Sequence, residues 1–156
     1  MIESNPSYSN KQVIAYEDNP IWAKTLVLWL NHYGFGNVRT FNNKKCMACY
    51  IKDNHEKIDL CLIDFYDQEG DTQQLIKEIR EISKDLLIIA MSADFVNDRE
   101  VLDTKEMVKT IYAGANRATF KDIKHLKMII DEDLTLRSLD NYEDIKTDPQ
   151  AFLKSV

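Results

Sequence analysis

Cysteine is scarce in this chain, and its count is odd. The three cysteines are Cys46, Cys49 and Cys61, which cannot all pair with one another. Cys46 and Cys49 have the spacing of a redox or metal motif, but no second Cys or His pair accompanies them. We therefore expect reduced thiols, with Cys46 and Cys49 on one face of a short helix that packs in the core.

An excess of basic residues and long apolar runs are also missing. The formal net charge is -6, which would repel a phosphate backbone and argues against direct binding to nucleic acid. No apolar run approaches the thickness of a bilayer, and none of signal-peptide length stands at the N-terminus. We therefore predict a cytoplasmic protein that does not bind membranes.

What the chain does have is enough apolar residues for one domain. Hydrophobic residues make up 44% of its 156 residues, which supports one sizeable core and leaves little room for two. Residues 1–11 are rich in Ser and Asn and predict a flexible lead-in. We place the domain at residues 12–136, followed by an acidic C-terminal tail, 137–156, in which a short helix could dock.

The central sequence pattern is the apolar run Ile58–Asp64, which ends on an acid. Short, branched and unbroken by Gly or Pro, it is typical of a strand buried on both faces of a parallel sheet. Ligands of such sheets bind beyond the carboxyl ends of the strands, so Asp64 is a candidate for chemistry. From this run alone, a simple loop-capping role for Asp64 is an equally good interpretation.

Strands and helices are predicted to alternate five times. Besides the central run, strands are indicated at residues 12–16, 37–41, 86–91 and 116–120. Helical periodicity or helix caps predict helices at residues 20–33, 44–52, 72–83, 104–112 and from 123 onward. This alternation favours an α/β fold with a parallel sheet.

Polar residues follow four of the five predicted strands: Glu17, Asp18, Asp64, Ser92 and Lys121. Each taken singly is more readily structural, but all five should converge at one edge of the sheet. Clustered carboxylates raise one another's pKa unless a cation lies among them, and their hard oxygen atoms suit Mg²⁺. With a metal, a lysine and a hydroxyl beside it, a carboxylate can attack phosphorus and form an aspartyl phosphate.

These residues, in this order, resemble the receiver domain of two-component response regulators over about residues 11–136. The resemblance implies a flavodoxin-like, doubly wound, five-stranded parallel sheet of order 2-1-3-4-5 with helices on both faces. It implies that Asp64 is the phosphoacceptor, assisted by Ser92 and Lys121. It also implies Mg²⁺ held by Glu17, Asp18, Asp64 and the backbone carbonyl of Tyr66, and a sensor histidine kinase or histidine phosphotransfer protein as phosphodonor.

Several positions depart from the family pattern around the lysine and the switch. Lys121 is followed by Asp122 where the family usually has a proline with a cis peptide bond, so the loop that aims the lysine could differ in shape. Ala118 stands where the family has its switch aromatic. The usual switch, in which a ring moves behind a displaced hydroxyl, is therefore in question.

Other departures lie beside the phosphoacceptor and in the output region. Asp67-Gln68 replaces Met-Pro, which adds a carboxylate near an already acidic site. The chain is longer than usual after Ser92, and Asp94 and Phe95 lie at the start of this switch and output segment. We expect an altered output surface.

We therefore predict a stand-alone receiver that is phosphorylated on Asp64 and signals through a downstream effector protein, with a homodimer left open. It would catalyse only its own phosphorylation and dephosphorylation. The alternative is a degenerate receiver that binds a protein partner independently of phosphorylation. A phosphohydrolase is a third hypothesis, but it would need a second acid where Tyr66 stands.

Overall fold

The computed structural model describes residues 5–93 and 104–138, along which strands and helices alternate. The strands of the main sheet are β1 (Gln12–Tyr16), β2 (Asn37–Phe41), β3 (Leu60–Asp64), β4 (Ile88–Met91) and β5 (Arg117–Thr119). The helices are α1 (Pro20–Tyr33), α2 (Lys44–Asn54), α3 (Gln73–Ile82), α4 (Thr104–Ala113) and α5 (Ile123–Arg137). The chain forms two compact units, one up to Lys121 that holds the sheet and α1–α4, and one from Asp122 that holds α5.

The main sheet is parallel and has the order β2-β1-β3-β4-β5. This confirms the predicted flavodoxin-like fold with its 2-1-3-4-5 order. Asp64 pairs with Met91, which in turn pairs with Thr119. The carboxyl ends of β3, β4 and β5 are therefore level, and the residues that follow them emerge at one edge of the sheet.

The three central strands, β1, β3 and β4, are buried on both faces of the sheet. On one face, β1, β3 and β4 pack against α2, α3 and α4 through side chains that include Ile14, Ile63, Met47, Ile76 and Ile79. The alternate residues of the strands point to the opposite face, where α1 buries Leu26, Trp29, Leu30 and Tyr33. All five residues of β3 are buried, as the unbroken apolar run predicted. Each buried Leu or Ile side chain of β3 contributes about 1.5–3 kcal/mol of stability.

Asparagine caps set where the first two helices begin. The Asn19 side chain accepts hydrogen bonds from the backbone of Ile21 and Trp22, and Pro20 occupies the first turn of α1. The Asn43 side chain accepts one from the backbone of Cys46 at the start of α2.

Two expectations about packing differ from the structure. Within the predicted flexible lead-in, Pro6–Tyr8 form a 3-10 turn, and the buried Tyr8 ring stacks on Phe35 at 4.6 Å between ring centroids. A single aromatic anchors this segment, which is too short to show apolar periodicity. The expectation that Cys46 and Cys49 pack in the core is wrong, since both are exposed. Helix α2 instead buries Met47 and Ile51, which lie four residues apart on one face.

Some predictions fall on residues that the structure does not describe. Asp94, Phe95 and the tail from residue 139 lie outside the described residues. Within the described ranges, no helix combines the length and the apolar character needed to cross a membrane.

Arg80 of α3 links three segments of the sheet unit. Its guanidinium donates hydrogen bonds of 2.8–3.2 Å to backbone carbonyls and one side-chain amide, and the acceptors are Ser83, Lys84, Leu86, Gly114 and Asn116. The Asn116 amide oxygen also accepts a hydrogen bond from the backbone of Ile88 in β4. Arg80 thus joins the end of α3 to the start of β4 and to the turn between α4 and β5.

Replacing Arg80 should therefore destabilise the fold. We expect Arg80→Met to lower the free energy of unfolding in urea by about 2–4 kcal/mol, because several carbonyls lose a charged donor at once. The matched control is Lys77→Met, an exposed cation on the same helix, which should change stability by less than about 0.5 kcal/mol. Equal losses in the two variants would contradict the role given to Arg80.

Candidate active site

Residues from four strand ends meet at the carboxyl edge of the sheet. Glu17 and Asp64 are 2% and 4% exposed and Ser92 is 1% exposed. The Lys121 ammonium lies 2.8 Å from Glu17 Oε2 and 3.2 Å from Asp64 Oδ1. The Lys121 backbone donates to the Ser92 carbonyl at 3.2 Å, which joins the ends of β4 and β5. The convergence that the sequence predicted for this edge is therefore present.

Three carboxylates form a compact cluster beside this lysine. One oxygen from each of Glu17, Asp18 and Asp64 lies within 4.8 Å of the other two. The Asn19 backbone donates to Glu17 Oε1 and the Gln68 backbone donates to Asp18 Oδ2, both at 3.2 Å. Glu17 is thereby oriented by the loop that carries it, and Asp18 by the segment that follows β3.

The cluster carries more negative charge than its lysine offsets. Burial and the nearby charge of Glu17 raise the pKa of Asp64 to about 7, although Lys121 acts in the opposite direction. Hard oxygen donors with an excess of negative charge fit Mg²⁺. Glu17, Asp18 and Asp64 therefore suit the cation that the fold implies, while the Tyr66 carbonyl stays a predicted fourth ligand.

The connection between β3 and α3 contains a hairpin that the sequence analysis missed. Tyr66–Asp67 pair with Gly70–Asp71, and Gly70 has φ 126° at the turn. The buried Thr72 hydroxyl donates to the Asp64 carbonyl at 2.9 Å and lies 3.1 Å from the Phe65 carbonyl. The available signal was Gly70, three residues after Asp67 in a polar segment, which is typical of a short hairpin loop.

The extra carboxylate, Asp67, is neutralised away from the acid cluster. Its Oδ2 atom lies 2.9 Å from Lys44 Nζ and accepts a hydrogen bond of 2.9 Å from the Tyr16 hydroxyl. Burial would raise the pKa of Asp67, but the hydrogen bonds from Lys44 and Tyr16 outweigh it and lower that pKa. Sequence reasoning missed Lys44. The signal was a lysine pair, Lys44-Lys45, at a helix N-terminus, where basic side chains oppose the helix dipole.

Tyr66 connects the hairpin to α4. Its hydroxyl donates to a carboxylate oxygen of Glu106 in the first turn of α4, and Lys109 pairs with the other oxygen at 2.9 Å. The hydrogen bond from Tyr66 is the main cause that lowers the pKa of Glu106. By contrast, Ala118 is half-buried in β5 opposite Ala90 and carries no ring.

The residue after the lysine has a structural role of its own. The Asp122 side chain accepts a hydrogen bond of 2.7 Å from the Lys124 backbone and caps α5. No cis peptide bond occurs along the described residues. The lysine loop is thus built without the proline geometry of the family, while the Lys121 ammonium still contacts both acids.

Comparison with solved structures gives receiver domains. The receiver domain of the histidine kinase CKI1 from Arabidopsis thaliana, solved with Mg²⁺, has a TM-score of 0.69 at 22% identity, over 84% of this chain and 97% of that one. A chain of the CheX-CheY-BeF3-Mg complex from Borrelia burgdorferi has a TM-score of 0.70 at 17% identity, over 85% of this chain and 96% of that one.

A two-component response regulator from Clostridium difficile is similarly close, with a TM-score of 0.69 at 17% identity over 83% of this chain and 99% of that one. Comparisons with protein-family models and with curated proteins found no match. The chain therefore has the receiver fold, at a sequence distance that leaves its activity to be argued from its own residues.

The pKa of Asp64 predicts that this acid destabilises the protein at neutral pH. Because the folded state holds the proton up to about pH 7, stability should fall as pH rises from about 4 to 7. Asp64→Asn removes this cost, so we expect it to raise the free energy of unfolding by about 1–3 kcal/mol at pH 8 without metal, with little effect at pH 4.

The control for this measurement is Asp67→Asn, because Asp67 should affect the pH dependence of stability in the opposite direction. The pKa of Asp67 is lowered in the folded state, so its charge stabilises the protein above about pH 4 and this contribution is lost on acidification. Urea unfolding at several pH values measures both variants. A destabilising Asp64→Asn at pH 8 would contradict the charge balance described above.

Proposed function

We propose that this chain is a response-regulator receiver that accepts a phosphoryl group on Asp64 in the presence of Mg²⁺. The observation that carries this proposal is the placement of Lys121, whose ammonium contacts the buried carboxylates of Glu17 and Asp64 at once. The phosphodonor would be a sensor histidine kinase or a histidine phosphotransfer protein.

The chemistry assigned to the site is an in-line transfer to a carboxylate. An Asp64 oxygen forms the new P–O bond as the P–N bond of the donor phosphohistidine breaks, and the imidazole leaves with the electron pair and takes up a proton. Lys121 would hold one phosphoryl oxygen and the Ser92 hydroxyl another. When bound by Glu17, Asp18 and Asp64, Mg²⁺ supplies charge neutralisation for the transferred oxygens.

The signal would leave the site through α4 to a downstream effector protein. Tyr66 supports this route because its backbone follows Asp64 by two residues while its hydroxyl reaches Glu106. Helix α4 also exposes apolar side chains that a protein partner could cover, at Val108, Ile111 and Tyr112. No ring is needed at Ala118 for this coupling.

A second candidate function is supported by Ala118 itself. Without the switch aromatic, the chain could keep the fold and the acid cluster and bind a partner independently of phosphorylation. The two proposals differ in what Asp64 does, so the same experiment separates them.

Phosphorylation can be measured by intact mass after incubation with a small phosphodonor. We expect the wild-type protein to gain the mass of one phosphoryl group with Mg²⁺, and to gain nothing after metal is removed by chelation. Asp64→Asn should show no adduct, while a variant of the exposed acid at the end of the following hairpin, Asp71→Asn, should behave as the wild type. If neither small donors nor a phosphohistidine protein modify the folded chain, the phosphorylation-independent binding function replaces the proposal.

Tyr66→Phe should uncouple α4 from the site. We expect beryllofluoride with Mg²⁺ to alter amide hydrogen exchange in residues 104–113 of the wild-type protein. The variant should show a much smaller change, because the hydrogen bond to Glu106 is lost. Tyr112→Phe is the control, since Tyr112 is 87% exposed. An unchanged response in Tyr66→Phe, with beryllofluoride still bound, would exclude this route.

A further inference from the structure

Trp22 lies beside the lysine of the site. The Lys121 ammonium is 5.2 Å from the centroid of the Trp22 ring, within the range of a cation–π interaction. The Lys121 side chain is only 8% exposed, whereas Trp22 is 38% exposed. The ring therefore borders a lysine that is largely removed from solvent, while part of its own surface faces water.

The position of Trp22 is set by the cap of α1. Asn19 Oδ1 accepts hydrogen bonds from the backbone of Ile21 at 2.9 Å and of Trp22 at 3.1 Å. This first turn follows Glu17 and Asp18 directly, so the ring is held close to the acids that the lysine contacts. Core packing does not explain Trp22, because Trp29, two turns further on, is the tryptophan of α1 that is buried.

An aromatic ring suits this position for an electrostatic reason. The face of an indole attracts a cation through its quadrupole but carries no net charge. A third carboxylate next to Lys121 would also attract the ammonium, but it would add charge to an already crowded cluster and repel an incoming phosphoryl group.

We propose that Trp22 is a positioning residue for Lys121, whose ammonium lies close to the Trp22 ring as well as to Glu17 and Asp64. Lysine has a long flexible side chain, and this chain has Asp122 where a proline would constrain the loop after it. The ring restricts the ammonium to the place from which it would meet a phosphoryl oxygen. The inference rests on the proposed function for its effect on phosphorylation.

The test varies the charge distribution of the ring while keeping its shape. In a Trp29→Phe background, Trp22 is the single tryptophan of the chain, and it can be replaced biosynthetically by singly, doubly and triply fluorinated tryptophan. Fluorination weakens the quadrupole stepwise. We expect the rate of phosphorylation by a small phosphodonor at saturating Mg²⁺ to fall with each step, by about 5- to 10-fold over the series. The Kd for Mg²⁺, followed by Trp22 fluorescence, should change by less than about 2-fold, because the ring contacts the lysine and not the metal.

Conventional variants and a spectroscopic readout complete the test. Trp22→Phe should retain part of the rate and Trp22→Leu should lose at least as much as the most fluorinated ring, with melting temperatures close to that of the parent. In NMR spectra, the ε-methylene protons of Lys121 should show a ring-current shift that Trp22→Leu abolishes.

Each remaining outcome has a definite meaning. A rate that stays flat across the fluorinated series, in a parent that is phosphorylated, would overturn the inference and leave the proposed function intact. Absence of the ring-current shift in the parent protein would also overturn the inference. If the shift is present but the parent forms no adduct, the proposed function fails and the positioning of Lys121 by Trp22 is supported.

Discussion

The buried negative charge at the carboxyl edge of the sheet is the constraint on which the rest of the site depends. Glu17 and Asp64 are almost completely buried, Asp18 lies beside them, and Lys121 offsets one charge of the three. Burial in this setting is costly for a charged group, as the raised pKa of Asp64 indicates. The sheet topology imposes this arrangement, because it brings the ends of β1, β3 and β5 together. A divalent cation bound by the three acids would offset this excess charge.

The acids around this cluster are balanced locally, so that the excess charge stays in one place. Asp67 pairs with Lys44 and accepts from Tyr16, and Glu106 pairs with Lys109 and accepts from Tyr66. These contacts also tie the hairpin after β3 to α2 and α4. The loop that carries the predicted metal ligand Tyr66 is therefore held from two sides, which favours a site that is formed before a ligand arrives.

The fold could be predicted from the sequence because strands and helices alternate along it. The main residues of the site could be predicted because they lie at or directly after the ends of predicted strands. An apolar run that ends on Asp64 fixes both a buried strand and an acid at the edge of the sheet. The contacts Lys44–Asp67 and Tyr66–Glu106 could not be predicted in this way, since they join side chains on separate elements, in the second case 40 residues apart. Periodicity assigns a residue to a face, but side-chain rotamers and loop geometry decide which partner it meets. The anchoring of Tyr8 escaped prediction for the same reason.

Three of the four departures from the receiver pattern coincide with a contact that can supply the corresponding physical effect. Where the proline after the lysine is missing, Trp22 lies against Lys121. Where Met-Pro becomes Asp67-Gln68, Lys44 neutralises the added acid, and where Ala118 lacks a ring, Tyr66 reaches α4. In the proposed function, the Lys121 ammonium, which lies close to two buried acids and the Trp22 ring, would also hold a phosphoryl oxygen. The cost of burying these charges therefore supports the proposed phosphoryl-accepting function over the proposed binding that is independent of phosphorylation.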